Sequence, residues 1–533
     1  MAVAPNNDLL VSQPDAGRVL LIRPHSDGDP IVGEFVSGLR KPHDILFHSI
    51  DGITYVYIAE THQINRFVYF DGDLTAHDRE IVVRDLPDSS LPELGGAYGH
   101  ELKNIALDQN HQLYVSIASS CNACLSDAVS DPKRGAIYRY SADGSNPQLF
   151  AEGLRNAEGL GIFPGTNELW VAVNNRDEIS YPFDDGSGLY GMVVPWYVDD
   201  HPPEAFTRVR EGGNYGWPFC NPNPDTFTGF DNMPFDVDYE LNRGGQVDCQ
   251  VMDRITKGIQ AHSAPLGLTW LQNTNVPEAF RAGALIAFHG SWNRQAPTGY
   301  KVAYFPFQPD TGTPGAQMDF VTGWLDEAAG EVWGRPVDVV ADLEGNVLIS
   351  DDYSGTIYKM TAREFTDGPS TGVPLPGVLE AENFDNGGAG VAYYDTSGGN
   401  SGGQYRTTDV DIEGTNDAGG GYNVGWIAPG EWLKYTVNVT AAGTYDLEFR
   451  VASSGTGGTF HLEVNGVAIT GPLSVPNTEG WQTWTTVTKT GVTLSAGPQV
   501  WTLVMDSDTE GVVGNFNYIA LVSPTGDGMG PTP

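Results

Sequence analysis

Basic side chains are scarce in this 533-residue chain, which has 28 Lys and Arg against 68 Asp and Glu. A few of them stand on loops with polar company. Arg155 follows Gly153-Leu, Arg335 follows Gly334, and Arg294 closes His289-Gly-Ser-Trp-Asn293-Arg294. His100 follows Tyr98-Gly99, and His262 opens His262-Ser-Ala-Pro. An imidazole can move a proton near neutral pH. A guanidinium can hold a carboxylate, or a carbonyl that gathers charge. The competing use of each Arg is a salt bridge to one of the many carboxylates.

The elements that must position these groups form an imperfect repeat. A loop and a short strand recur at Gly38-Leu-Arg-Lys-Pro-His-Asp-Ile45, Gly153-Leu-Arg-Asn-Ala-Glu-Gly-Leu160 and Gly334-Arg-Pro-Val-Asp-Val-Val340, with looser copies at Gly99 and His262. A β-rich strand follows each, such as Leu113-Tyr-Val-Ser-Ile117 and Leu169-Trp-Val-Ala-Val173. An outer strand often comes next, as in Tyr300-Lys-Val-Ala-Tyr-Phe305, which makes Lys301 an outer-strand residue. Short β-branched and aromatic strands in repeated groups predict propeller blades. Gly17-Arg-Val-Leu-Leu-Ile-Arg23 is expected to pair with the last blade and close the ring, for six blades in all. Loops ahead of inner strands would then converge on one mouth of the channel.

Residues 363–377 are rich in Pro and Gly and read as a linker. Residues 378–523 alternate strands of period two with Gly-rich turns, which predicts a β-sandwich of jelly-roll type. Residues 524–533 read as a tail. The expected class is all-β: a six-bladed propeller over residues 1–362, then the sandwich.

A net charge of −40 argues against nucleic acid and anionic membranes as partners. No apolar run approaches the roughly 20 residues of a membrane span. The N-terminus has no signal-peptide pattern. The four cysteines are read as two structural disulfides, Cys121–Cys124 and Cys220–Cys249, which implies an oxidising compartment. A redox-active CxxC or half a zinc site are the alternatives for the first pair.

Residues 15–362 resemble the soluble quinoprotein sugar dehydrogenases, a group that includes aldose, sorbosone and pyranose dehydrogenases. The strings that carry the resemblance are Lys41-Pro-His43, Gly99-His100, Gly153-Leu-Arg-Asn156, Asp177-Glu-Ile179, Gly213-Asn-Tyr-Gly-Trp-Pro218, Ala261-His-Ser-Ala-Pro-Leu-Gly-Leu268 and His289-Gly-Ser-Trp-Asn-Arg294 with Gly299-Tyr-Lys-Val302. The resemblance implies pyrroloquinoline quinone and calcium as cofactors. It implies His100 as the base that takes a sugar hydroxyl proton while hydride passes to the quinone. Arg155, Asn156, His262, His289, Asn293, Arg294 and Arg335 become the expected cofactor-binding set. Asn174 and Asn175 stand where the family supplies calcium ligands, in place of its Gly-Pro pair. Electrons would leave to an external acceptor, a cytochrome or a quinone.

Residues 378–523 resemble a family 6 carbohydrate-binding module. The strings are Leu379-Glu-Ala-Glu-Asn-Phe384, Gly425-Trp-Ile-Ala-Pro-Gly-Glu-Trp432, Gly480-Trp-Gln-Thr-Trp484 and Asn515-Phe-Asn-Tyr-Ile519, among others. The resemblance implies that Trp426 and Trp481 grip a sugar ring and that Asn515 anchors it. Glu380, Glu382 and Asn517 would hold a structural calcium, the two Glu pointing one way from a strand. Trp432 and Trp484 are expected in the core. The expected whole is a secreted or periplasmic enzyme that oxidises a mono- or oligosaccharide, at its anomeric hydroxyl, and is held on a polysaccharide by the module. The alternatives are a non-catalytic carbohydrate-binding or adhesion propeller and a calcium-dependent lactonase.

Overall fold

The computed structural model of the chain describes residues 1–24, 29–272, 274–276, 280–308, 312–326, 330–361, 373–385, 388–406, 408–507 and 511–522. The chain divides into two compact units, Met1–Ala362 and Arg363–Pro533. No helix among the described residues is long and apolar enough to cross a membrane.

The first unit is built from antiparallel sheets, because its apolar runs are short, β-branched or aromatic, and end in turns. The first sheet joins Ala2–Val3, Leu9–Gln13, Arg18–Arg23 and Ile31–Ser37. The second joins Ile45–Ile50, Ile53–Ala59, Ile64–Tyr69 and His77–Val83. The third runs from Ile105–Leu107 through Gln112–Ile117 and Ala136–Ser141 to Gln148–Glu152, with Gly213–Asn214 added in parallel. Asn156–Ile162, Leu169–Asn174, Glu204–Val209 and Ile255–Ile259 form the core of the fourth. Pro265–Trp270, Gly283–Phe288 and Lys301–Gln308 lead the fifth, and Pro336–Ala341, Val347–Asp351 and Thr356–Met360 make the sixth.

Arg18–Arg23 differs from expectation. It lies between Leu9–Gln13 and Ile31–Ser37 in a sheet of its own and does not pair with the last sheet. The N-terminal segment supplies the inner strands that a repeat search missed, since Ala2–Val3 is too short to show a period. Contact between the first and sixth sheets is made instead by the Met1 ammonium, which pairs with Asp338, and by Asn7, whose Oδ1 accepts the Leu343 N–H at 2.8 Å. Lys301 is on the third strand of its sheet, as expected, and pairs with Asp319 at 2.6 Å.

Large apolar side chains fill the spaces between neighbouring sheets. Trp170, Phe206, Trp270, Phe288, Phe305 and Phe307 pack between the fourth and fifth. The rings of Phe206 and Trp170 lie 5.2 Å apart in a tilted pair. Burial of such faces is the main stabilising term, at about 25 cal/mol per Å² of apolar surface. It also fixes the loops at the strand ends, which carry the candidate site.

The second unit is a sandwich. One sheet is ordered around Trp432–Val439, Gly497–Ser507 and Thr459–Val464, the other around Asn515–Val522, Gly443–Ser453 and Gly480–Leu494. Their inner faces meet in a core that includes Tyr435, Phe449, Phe460, Trp501 and Phe516. Val373–Leu375, which composition places in the linker, is a strand in parallel with Val437–Val439. Pro374 is tolerated because that strand stands at the edge of its sheet. Most of the linker and the tail lie outside the described residues.

Candidate functional site

His100 lies on the loop ahead of the inner strand Ile105–Leu107 and is half-buried. Its Nδ1 contacts the Ser119 carbonyl oxygen at 3.0 Å and Ser119 Oγ at 2.9 Å. A carbonyl only accepts, so Nδ1 carries the proton and Nε2 the lone pair. Burial first, and the nearby Arg155 guanidinium second, push the imidazole down to about 4. The ring is therefore neutral at ordinary pH, with a basic nitrogen turned away from its anchor.

Arg155 opens the strand Asn156–Ile162 from a turn at Gly153. A Cβ on Gly153 would come within 2.5 Å of the Gly216 main-chain nitrogen, so the turn needs glycine there. The guanidinium is buried. It donates to the Asn122 carbonyl at 3.1 Å, to Asn122 Oδ1 at 3.0 Å, to the Asn174 carbonyl at 3.4 Å and to Asp177 Oδ2 at 3.0 Å. Its own carbonyl accepts the Ser119 N–H at 2.8 Å, which ties Arg155 to the His100 anchor. The salt-bridge use of this Arg is met by Asp177, and the same side chain stands beside the candidate base.

A hydrogen-bonded chain brings the other expected residues to the same place. Asp177 Oδ1 faces His262 Nδ1 at 3.4 Å, and His262 Nε2 donates to the Val198 carbonyl at 2.7 Å. Burial works against charge on His262, but Asp177 and then Glu204 outweigh it and raise its pKa. Both of its nitrogens are occupied and the residue is buried, so it stands behind Asp177 and does not line the site directly. That corrects its expected place in the cofactor-binding set.

The Ser263 carbonyl accepts from Gly290 N–H at 3.0 Å, and Arg335 donates to the His289 and Gly290 carbonyls at 3.0 and 2.7 Å. Arg335 spends two of its five N–H groups there and lies 5.5 Å over the Tyr300 ring. His289 turns to Asp352 at 2.9 Å. Arg294 donates to the carbonyls of Asp199 and Ala261 and sits 3.7 Å from Asp200, which holds it in the structural use of an arginine.

Three buried amide atoms in this neighbourhood have no partner: Asn156 Oδ1, Asn174 Oδ1 and Asn293 Nδ2. Orphaned buried polar atoms are costly and point to a missing polar ligand. The two oxygens suit a hard cation or a hydroxyl donor, and the Asn293 amide suits an anionic oxygen. The residues present therefore fit a polyanionic quinone with a cation. Asn175 is less free, since its N–H is held by Glu204 and its Nδ2 by the Pro203 carbonyl at 2.6 Å. No group of three or more His, Cys, Asp or Glu side chains is placed to hold a metal among the described residues.

Sequence reasoning missed several members. Asn122 lies inside the CxxC, and Ser119 stands two residues ahead of it. Glu158, two residues into the strand from Asn156, lies 3.5 Å from His43 and accepts from Asn104 at 2.9 Å. Burial acts to raise its carboxyl, but His43 and the two Asn hold it at about 2. Lys41-Pro-His43 carried this signal, because a buried His needs an acceptor. The two expected disulfides, Cys121–Cys124 and Cys220–Cys249, are both formed.

In the second unit Trp426 and Trp481 are 49% and 41% exposed, large values for Trp and consistent with open binding faces. Asn515 sits between them. Its Nδ2 donates to the Trp481 carbonyl at 2.9 Å and to Glu413 at 3.0 Å, and its Oδ1 lies against Gly425, the neighbour of Trp426. Trp432 is not in the core. It lines an open cleft of about 480 Å³ on the face of the other sheet, with Lys434 4.8 Å over its ring. Trp432 and Lys434 alternate with core residues, so both point outward.

Glu380 ends a strand, but Glu382 is in a 3-10 turn, Ala381–Asn383, so strand alternation does not aim the pair. They are nonetheless close, since Glu380 adds to the burial that pushes the Glu382 carboxyl up to about 7. Glu382 Oε2 and Asn517 Oδ1 are buried and unpartnered, a donor set that fits calcium. Calcium is expected to raise the melting temperature of this unit, and Glu382→Gln to abolish most of that rise; calorimetry with and without chelator checks it.

The family described as TrAA12-like matches residues 1–363, and carbohydrate binding module family 6 matches residues 381–523. A pyrroloquinoline quinone-dependent pyranose dehydrogenase of Coprinopsis cinerea is 30% identical over 253 residues, 42% of this chain and 33% of that protein. An uncharacterized protein of Borreliella burgdorferi is 26% identical over 263 residues, 49% of this chain and 60% of that protein. The chain thus spans less than two thirds of both relatives. The holo pyranose dehydrogenase quinone domain of Coprinopsis cinerea superposes with a TM-score of 0.55 at 18% identity, covering 67% of this chain and 90% of that one. A Trichoderma reesei enzyme of carbohydrate-active family AA12 gives 0.53 at 21%, with the same coverage. These two likenesses concern the fold.

Proposed function

Since the chain belongs to the TrAA12-like family through residues 1–363, we propose that it is a quinone-dependent sugar dehydrogenase. The observation that carries this reading is His100, held by Ser119 so that Nε2 is basic, beside a buried Arg155. The six sheets are read as the six blades of a propeller, with these loops at one mouth of its channel. The similarity to a pyrroloquinoline quinone-dependent pyranose dehydrogenase supports the cofactor and the sugar.

Bound pyrroloquinoline quinone would supply the hydride acceptor for the sugar carbon. His100 Nε2 takes the hydroxyl proton from that carbon, which we assign as the anomeric one. Arg155 and Asn156 would stand beside the reacting carbonyl, where Arg155 would oppose the charge gathered there. Arg335 and Asn293 are the residues that would hold carboxylates of the cofactor. Asn174, through Oδ1, and Asn175 are the residues that would hold calcium. Asp177 and His262 keep Arg155 in place from behind.

Residues 378–522 hold the enzyme on a polysaccharide through Trp426, Trp481 and Asn515. Electrons leave to a separate acceptor, a cytochrome or a quinone. The two disulfides suit an extracellular or periplasmic setting.

Reconstitution tests the function. Apo protein given pyrroloquinoline quinone and calcium is expected to reduce a dye only when a suitable monosaccharide is present, and only with both additions. Absence of quinone binding under those conditions would remove the enzyme reading and leave a carbohydrate-binding propeller.

A further inference from the structure

Asn122 sits inside the small ring closed by the Cys121–Cys124 disulfide. Its carbonyl oxygen accepts from Arg155 Nε and from Trp217 Nε1, each at 3.1 Å. Its Oδ1 accepts from Arg155 Nη2 at 3.0 Å and from the Asp177 N–H at 2.9 Å, while Nδ2 donates to the Asp177 carbonyl at 2.8 Å. The amide is thus paired in both directions with the main chain of Asp177, which fixes which end is oxygen. One residue therefore grips the guanidinium by two oxygens and ties it to the Asp177 loop and the Trp217 turn.

Neither oxygen carries a full charge. An aspartate here would hold Arg155 as well, but would set a second carboxylate on a cation that Asp177 already pairs at 3.0 Å, and would repel the Asp177 carbonyl. A neutral amide orients the cation without adding to that countercharge. The loop itself is fixed at both ends. Cys121 is locked to Cys124, and Ser120 N–H and Oγ bond to the buried Asp127 at 2.6 and 2.8 Å, which in turn accepts from Arg134 at 2.6 Å. A short covalent ring removes the backbone freedom that would otherwise oppose five simultaneous contacts.

We propose that Asn122, clamped by the Cys121–Cys124 ring, is the positioning residue that holds Arg155 beside His100 and against the bound quinone without adding a second countercharge to that of Asp177. The inference rests on the assignment of Arg155 to the quinone site.

The test uses the full chain in four forms: wild type, Asn122→Ala, Asn122→Asp, and Cys121→Ser with Cys124→Ser. The first readout is the protonation midpoint of His100 by NMR in the quinone-free chain, its signal assigned by loss in His100→Ala. Arg155 is one of the groups that keep this imidazole unprotonated. Displacing it is expected to raise the midpoint by about half a pH unit or more in Asn122→Ala and in the Ser pair, whereas Asn122→Asp keeps Arg155 in place and raises the midpoint by its own charge. The second readout is quinone affinity by Trp fluorescence, expected to weaken about tenfold, and most in Asn122→Asp. The Ser pair leaves the Asn122 side chain intact and carries the test if the Ala variant folds poorly. A wild-type midpoint in both Asn122→Ala and the Ser pair overturns the proposal. Failure of the wild type to bind quinone overturns instead the function on which it rests, and the midpoints still decide whether Asn122 positions Arg155.

Discussion

His100→Ala is expected to lower turnover by about 10³-fold in the reconstituted enzyme while quinone affinity changes little. The side chain is placed to receive a proton, not to bind the cofactor's carboxylates. Its Nδ1 is spent on Ser119, so the only group removed from the site is Nε2. A positioned general base contributes roughly 10²- to 10⁴-fold, and nothing else among the described neighbours can replace it, since Asp177 and His262 are committed to each other. The pH profile gives an independent check. The base must be neutral, and it is lost as pH falls through the folded pKa. Burial, then Arg155, set that value at about 4, below the 6.5 of an ordinary imidazole. The kcat/KM is therefore expected to stay level as pH falls from 7 to about 5 and to drop only below that. A variant within tenfold of wild type, or an acid limb near 6.5, would remove His100 from the role.

Trp481→Ala is expected to weaken retention on an insoluble polysaccharide by at least about tenfold, with turnover of a soluble sugar unchanged. The ring is 41% exposed, and its main chain is held by the buried Asn515, so the face is offered in a fixed orientation. A sugar's C–H face laid on it buries apolar area on both partners. Trp426→Ala should act alike. Asn515→Ala should cost at least as much, because it also frees the Trp481 strand and leaves Glu413 with one donor fewer. Pull-down of the full chain with a panel of glucans, beside dye reduction with free sugar, separates the two. Loss of both activities together would place Trp481 in the fold and not at a binding face.

Much of the architecture was open to sequence reasoning. The inner-strand loops at Gly38, Gly99, Gly153, His262 and Gly334 each precede a strand where the repeat placed one. Period two in Trp432–Val439 gave that strand and its alternation, but not which face was covered. Trp432 was assigned to the core because large aromatics are usually buried there. It faces outward because its alternate neighbours Leu433 and Tyr435 take the core side. The first sheet was missed as a unit because Ala2–Val3 is too short to carry a pattern.

The candidate site was legible as residue types and not as contacts. The sequence by itself determined an all-β chain of two parts, the loops that carry His100, Arg155 and Arg335, and the aromatic pair Trp426 and Trp481. These follow from local chemistry: strand period, turn residues, and a scarcity of cations that makes each one conspicuous. Only the tertiary structure decided that Arg294 is held by the Asp199 and Ala261 carbonyls, that His262 is sealed behind Asp177, and that Asn122 grips Arg155. Those pairings join residues 33 to 95 positions apart, as in Asn122 with Arg155 and Arg294 with Asp199. Each is set by which loops the packed sheets bring together, and no pattern along the chain encodes that distance.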